Sequence, residues 1–273
     1  MPSYKSFAVV GAGTLRLPIV NALAAQNVSV VLLSRPGASA KTVPATVKVI
    51  TVDFTEAAAV AAVLKEYKVD VVLAQTSLVE AAKLAAVKLF APSEYVMPTE
   101  GQAEGFLGAK NQIAADLKAA GIASSRFFVI GNFTEFIPWL VGYADHGKIR
   151  IVGKGEVRVS FTSIGDIAGY VAYVLTTLPA SELENRIFRI EGDHASLNDL
   201  GPLFKTSVEH VDGITGDDGF LKTLLLGLVD TGAGSTGWDE ATKTEGLGSQ
   251  VEGSANALWP GHQWKTIKDV HSL

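Results

Sequence analysis

Six short, almost uninterrupted apolar runs dominate the first 130 residues of this 273-residue chain: Phe7–Val10, Val28–Leu33, Val47–Val52, Val69–Ala74, Val87–Ala91 and Arg126–Ile130. A strand exposed on one face alternates apolar and polar residues. Near-continuous apolar runs are instead the mark of strands covered on both faces. Longer stretches of helical periodicity separate the runs, and neighbouring parallel strands need such a covering crossover. The alternation therefore predicts an α/β fold, a doubly wound parallel sheet of Rossmann type. Two of the helices carry start signals, Asp53-x-x-Glu56 and Ser77-x-x-Glu80, which fit a capping box.

After Gly131 the rhythm breaks, with Pro138, Gly142, Gly147, Gly153 and Gly155 punctuating the chain. A strand-like Val157–Thr162 precedes a helix over Ser163–Leu178, and Asn185–Glu191 reads as another strand. From Asp212 onward Gly, Asp, Thr and Ser dominate, with scattered Leu and Trp anchors. The expected division is a sheet-forming domain over 1–130 and a smaller, less regular substrate lobe over 131–273, with approximate boundaries that allow interleaving. Such a lobe usually closes a cleft at the carboxyl ends of the strands.

Composition excludes several classes. Twenty-three Lys and Arg against 28 Asp and Glu give a net charge of −5, the wrong sign for a general nucleic-acid binder. With no Cys there are no disulfides, thiolate nucleophiles or Cys-ligated metal sites. Charged and polar residues interrupt every apolar run well short of the ~18 residues of a membrane span. The start, Met-Pro-Ser-Tyr-Lys-Ser, lacks a signal-peptide core. The expectation is a cytoplasmic protein acting on a small molecule, away from membranes. Five histidines without ligand spacing argue against a metal site, and His146 beside Gly147 reads as a loop residue outside any carboxylate–histidine pattern.

The first run is followed by Gly11-Ala-Gly13-Thr14-Leu15-Arg16 and then an apolar helix from Leu17. Gly11 would permit a tight turn, and Gly13 would let a pyrophosphate approach the N–H groups at the helix start, with Thr14 and Leu15 completing the turn. Arg16 stands where a third glycine is expected. A cation in the first helical turn opposes the helix dipole unless an anion sits there, which favours phosphate contact, although a solvated arginine remains the alternative. A site built for NAD places an acid about 20 residues past the turn to bind the ribose hydroxyl. Here no acid occurs between Gly11 and Asp53. Ser34 and Arg35 after the second run would instead meet a 2′-phosphate, pointing to NADP(H). Asp53 and Phe54, at the end of the third run, would lie near the adenine, and Asp53 is also explained as a helix cap.

The segment from Phe106 to Lys118 reads as a helix ending at Gly121. Ile113, Ala114 and Leu117 stand three, four and seven positions after Lys110, so the lysine falls on the apolar stripe while Asn111 and Lys118 face outward. An inward lysine either packs its stem and reaches an edge or works in a cleft.

Six motifs, in order and spacing, resemble the NmrA-like and isoflavone reductase-like branch of atypical short-chain dehydrogenases/reductases, fungal members especially. They are Val10-Gly-Ala-Gly-Thr-Leu with Pro18-Ile-Val, Phe90-Ala-Pro-Ser-Glu-Tyr95, Gly131-Asn-Phe133, Phe161-Thr-Ser-Ile-Gly-Asp-Ile167, Arg189-Ile-Glu-Gly-Asp193 and Leu258-Trp-Pro-Gly261. The resemblance spans nearly the whole chain. It implies an NADPH-binding Rossmann fold and reduction of a small aromatic or phenolic molecule. Ordinary members of the wider group use Tyr-x-x-x-Lys; Phe106-x-x-x-Lys110 lacks the phenol, as isoflavone-type reductases do. Lys110 would then be the catalytic acid/base or would orient the nicotinamide ribose, with Asn132 and Phe133 as further cofactor contacts. Tyr95, Phe133, Phe136, Trp139 and Tyr143 would contact an aromatic substrate, with plain packing as the alternative for Phe136 and Trp139. Two features depart from the pattern: Arg16, and a connection of only Gln75-Thr76 between Ala74 and the next helix. They leave room for a dinucleotide-sensing regulator without chemistry, or for a redox-neutral cyclase or lyase that keeps the cofactor.

Overall fold

A computed structural model describes residues 4–39, 42–74, 78–95, 97–129 and 133–273. The expectations at Gln75, Thr76, Ser77, Gly131 and Asn132 lie outside the described residues.

The central sheet contains β1 (Ser6–Val10), β2 (Ser29–Ser34), β3 (Lys48–Thr51), β4 (Val71–Ala74), β5 (Leu89–Pro92) and β6 (Ala123–Phe128). Two strands outside it follow in sequence, β7 (Ile149–Val152) and β8 (Arg158–Phe161), and then β9 (Arg186–Arg189) completes it. The order is β3-β2-β1-β4-β5-β6-β9, and the pairings from β3 to β6 are all parallel. This is the predicted doubly wound arrangement. All five residues of β1 and all four of β4 are buried, as continuous apolar runs require.

The crossovers are α1 (Arg16–Ala24), α2 (Ala57–Glu66), α3 (Val79–Leu84) and α4 (Gly105–Ala119). Their last turns repeat one device. A residue in left-handed conformation ends each of α2, α3 and α4, namely Lys68 (φ 49°), Ala86 (φ 53°) and Gly121 (φ 72°). The next N–H then bonds back five residues: Val69 to Leu64, Val87 to Ala82 and Ile122 to Leu117. These are Schellman turns, and all six apolar residues join one buried cluster with Phe90 and Ile113. Removing one such side chain, as in Leu117→Ala, would cost about 2–5 kcal/mol.

Two predicted boundaries moved. The sixth strand starts at Ala123, three residues before the apolar run suggested, because Ser124 and Ser125 are buried within it; Ser125 Oγ bonds to the Leu183 carbonyl (2.7 Å). The capping box at Asp53 is absent: α2 starts after Glu56 and has no side-chain cap. Asp53 instead closes a tight turn, accepting from Thr55 N (2.9 Å) and Thr55 Oγ1 (2.8 Å), bonds that hold its carboxyl below the usual range.

The chain forms two compact units. The first comprises residues 1–94, 102–127 and 167–188; the second comprises 95–101, 128–166 and 189–273. In the first, Phe127 on β6 stacks on Phe188 of β9 (5.0 Å between centroids) and meets Tyr170, from the helix Ile164–Thr177, edge-on at 6.4 Å. The second unit holds β7 paired in parallel with β11 (Val208–Val211), and β8 antiparallel to β10 (Asp193–Ser196). Its own apolar cluster includes Ile149, Val159, Phe161, Leu200 and Leu226. Leu226 lies on a ten-residue helix, Gly219–Leu228, within the stretch after Asp212 whose composition reads as less regular. Among the described residues no helix is long and apolar enough to cross a membrane.

Candidate functional site

Parallel strands end on one edge, so the turn after β1 and the segment after β5 emerge at the same side of the sheet. Gly11 has φ of 82°, a conformation open to glycine, and its N–H bonds to the Leu33 carbonyl beside the end of β2 (2.8 Å). A Cβ on Gly13 would meet nothing within 4 Å, so the backbone there faces open space. Leu15 forms the N-cap of α1 without a side-chain cap, no acid occupies the first turn, and Thr14 is exposed. Backbone N–H groups at such a start suit an anion. Ser34 ends β2 half-buried and Arg35 is exposed in the turn that follows.

Arg16 does not project into solvent. Its guanidinium folds back over the glycine turn, where Nη1 would lie 2.9 Å from a Cβ on Gly11, and Nη2 donates to Ser93 Oγ (3.1 Å). Ser93 follows β5, and its carbonyl accepts a hydrogen bond from Lys110 Nζ. Gly11, Arg16 and Lys110, up to 99 positions apart in sequence, thus meet around one serine.

Lys110 sits half-buried above the Phe106 ring, one turn back on α4, with Nζ 5.0 Å from its centroid. Burial pushes its ammonium below the usual lysine range; the Glu94 carboxylate opposes that and the Arg16 guanidinium adds to it. Glu94 is 1% exposed and pairs with Arg126, 8% exposed, whose Nε donates to both carboxylate oxygens (3.0 and 2.9 Å). Arg126 Nη2 also reaches Asn111 Oδ1 (3.4 Å), and Asn111 Nδ2 donates to the Gln102 carbonyl (3.1 Å). Asn111 is therefore half-buried and bonded, not outward-facing as helical spacing suggested, because β6 supplies a buried cation on that side.

Asp53 is exposed in its turn, and Phe54 packs half-buried against the helix–sheet cluster. The third strand ends at Thr51, two residues before the pair expected to close it.

In the second unit, Tyr95 is buried with φ of 25°. Phe133 meets Phe136 at 5.5 Å and Phe136 meets Trp139 at 6.5 Å, both edge-on, and Phe136 remains 37% exposed. Trp139 Nε1 donates to Asp218 (3.2 Å), with Lys222 Nζ 5.0 Å from its ring. Tyr143 departs from this row and packs on Phe204 at 5.0 Å.

The sequence reading missed two carboxylate groupings in this unit. His262 Nε2 lies 2.9 Å from the buried Asp166 carboxylate, and its ring stacks on Trp259 at 3.6 Å. Asp166 and His262 are 96 positions apart, beyond any local spacing rule. Around β10, Glu191 accepts from Ser160 Oγ (2.5 Å), while His194 Nδ1 stands 3.8 Å from Glu191 and 3.6 Å from Glu252. Burial raises the Glu191 carboxyl. Burial and then the neighbouring Glu252 side chain push Glu245 up to about 7.

No protein-family profile matches the chain, and no curated protein matches it significantly. Solved structures do. A protein solved with NADP+ and (+)-pinoresinol is 22% identical over 98% of both chains, with a TM-score of 0.71. The NADPH complex of leucoanthocyanidin reductase from Vitis vinifera is 16% identical over 98% of both chains, with a TM-score of 0.75. An NADPH-dependent quinone oxidoreductase from Escherichia coli is 18% identical over 97% of this chain and 98% of its own, with a TM-score of 0.74. The likeness runs the length of the molecule and identifies the fold as the Rossmann-type α/β fold these proteins share.

Proposed function

We propose that this protein is an NADPH-dependent reductase of a small aromatic or phenolic molecule, allied to the isoflavone reductase-like and NmrA-like proteins. The observation that carries the reading is Lys110: a half-buried ammonium at the strand edge, beside a glycine turn able to receive phosphate. The residues fit a phosphorylated dinucleotide. Gly11 supplies the turn, Gly13 leaves the backbone open, the uncapped start of α1 with Thr14 and Leu15 presents N–H groups, and Ser34 with Arg35 suits a 2′-phosphate. Bound there, NADPH supplies the hydride. Lys110 holds a proton at Nζ whose release burial eases, and it delivers that proton to the oxygen of the reduced group. The buried Glu94–Arg126 ion pair lies behind it. In the second unit the edge-on row of half-buried Phe133, exposed Phe136 and half-buried Trp139 would supply ring contacts for an aromatic ligand. Of the similar solved structures, one holds NADP+ with (+)-pinoresinol and another holds NADPH, which supports the reading.

Arg16 over the turn favours one second reading, a dinucleotide sensor without turnover. Titration with NADPH and NADH, followed by nicotinamide fluorescence, tests the first step; oxidation of bound NADPH against a panel of phenolic carbonyls, enones and quinones tests the second. Micromolar binding of NADPH with weaker NADH binding, and oxidation by at least one panel member, is the expected result. Tight binding without oxidation across the panel favours the sensor, and no binding of either nucleotide removes both.

A further inference from the structure

Arg16 and Lys110 are two cations sharing one neutral anchor, Ser93: the guanidinium holds its hydroxyl (3.1 Å) and the ammonium its carbonyl. We propose that Arg16 is a positioning residue that couples an anion at the Gly11–Gly13 turn to Lys110 through Ser93. The anion is taken to be the diphosphate of a dinucleotide, and in that respect the inference rests on the function proposed above.

The coupling follows from where the guanidinium lies. It lies over Gly11 and leaves Gly13 open, so a diphosphate settling on the turn comes within its reach, and a guanidinium fork matches phosphate oxygens better than a single hydroxyl. Drawing Arg16 toward the phosphates frees Ser93 Oγ and cancels a positive charge facing Lys110. Among the described residues the other groups around Nζ are Glu94 and the Ser93 carbonyl after β5, Arg126 of β6 acting through Glu94, and the Phe106 ring of α4 itself. Lys110 then holds its proton more firmly with the turn filled than with it empty. A glycine at position 16 would bind phosphate through N–H groups alone and transmit nothing to the lysine.

The pH midpoint of Lys110 acetylation, read by mass spectrometry in wild type, Arg16→Gln and Arg16→Lys, measures the coupling without any turnover. Inorganic pyrophosphate is the first probe and NADP+ the second. Pyrophosphate should move the Lys110 midpoint upward in wild type and Arg16→Lys and move it less in Arg16→Gln, which starts at the higher midpoint. NADPH should bind Arg16→Gln about tenfold more weakly or worse. Equal Lys110 midpoints in wild type and Arg16→Gln, or tighter NADPH binding by Arg16→Gln, would overturn the proposal. Wild type that answers pyrophosphate at Lys110 but ignores NADPH keeps the coupling and removes the dinucleotide reading. Binding of NADPH with no movement at Lys110 removes the coupling alone.

Discussion

Each compact unit buries an arginine beside a carboxylate, and the two arrangements differ in what surrounds them. In the first unit Arg126 and Glu94 are both sealed, and the arginine reaches both carboxylate oxygens. In the second, Arg189 is 5% exposed but divides itself between the Thr236 carbonyl (2.8 Å) and Glu100, whose side chain is 41% exposed. A sealed pair cannot lose a partner without stranding a buried charge. The open pair can exchange with water. The second unit also carries one carboxyl, Glu245, that burial and Glu252 push up to about 7. The lesson is that the sealed pair stands beside the one lysine whose charge is proposed to change during turnover.

The largest expected effect breaks this contrast if it fails. Lys110→Met should lower turnover by about 10²–10⁴-fold while NADPH binding, followed by fluorescence, persists. Full turnover in that variant, with loss in Glu245→Gln, would move the chemistry to the second unit. Next, Glu94→Ala should destabilise by about 3–5 kcal/mol in urea unfolding, because Arg126 is left buried and unpaired. The matching Glu100→Ala should cost about 1 kcal/mol or less, and equal losses would show that both pairs are sealed in solution.

A smaller effect tests titration. Glu245 binds its proton more tightly folded than unfolded, 7 against an ordinary 4.5. The stability this contributes is full below the unfolded value and is lost as pH rises through the folded one. Wild-type Tm should therefore fall relative to Glu245→Gln between about pH 5 and pH 8, and parallel Tm profiles would remove Glu245 as the titrating group. The smallest effect concerns the scaffold of the first unit. Ala86→Gly should stabilise by a few tenths to about 1 kcal/mol, since glycine takes the left-handed turn without the Cβ penalty.

Much of the first unit was legible because its signals are local. Continuous apolar runs specified buried parallel strands, Gly11 announced its turn, and Gly121 marked the end of α4. The ends of α2 and α3 were not marked, because Lys68 and Ala86 carry no propensity for the left-handed turn; burial of Val69 and Val87 imposes it. Asp53 looked like a cap on spacing alone, yet Thr55 captured its carboxylate first. Helical periodicity put Lys110 on the inner face, and it also put Asn111 outside, since no pattern along α4 reveals that Arg126 waits on β6.

The sequence by itself determined the α/β alternation, the glycine turn, the acid-free stretch that ends in Ser34 and Arg35, and the inward lysine. Each follows from residue type and periods of two or 3.6, which act over a few neighbours. Only the tertiary structure decided that Arg16 lies over the turn, that Ser93 joins it to Lys110, and that Glu94 and Arg126 stand sealed behind them. Those contacts link side chains from α1, the segment after β5, α4 and β6, and their geometry exists only once the parallel sheet has brought the strand ends to one edge.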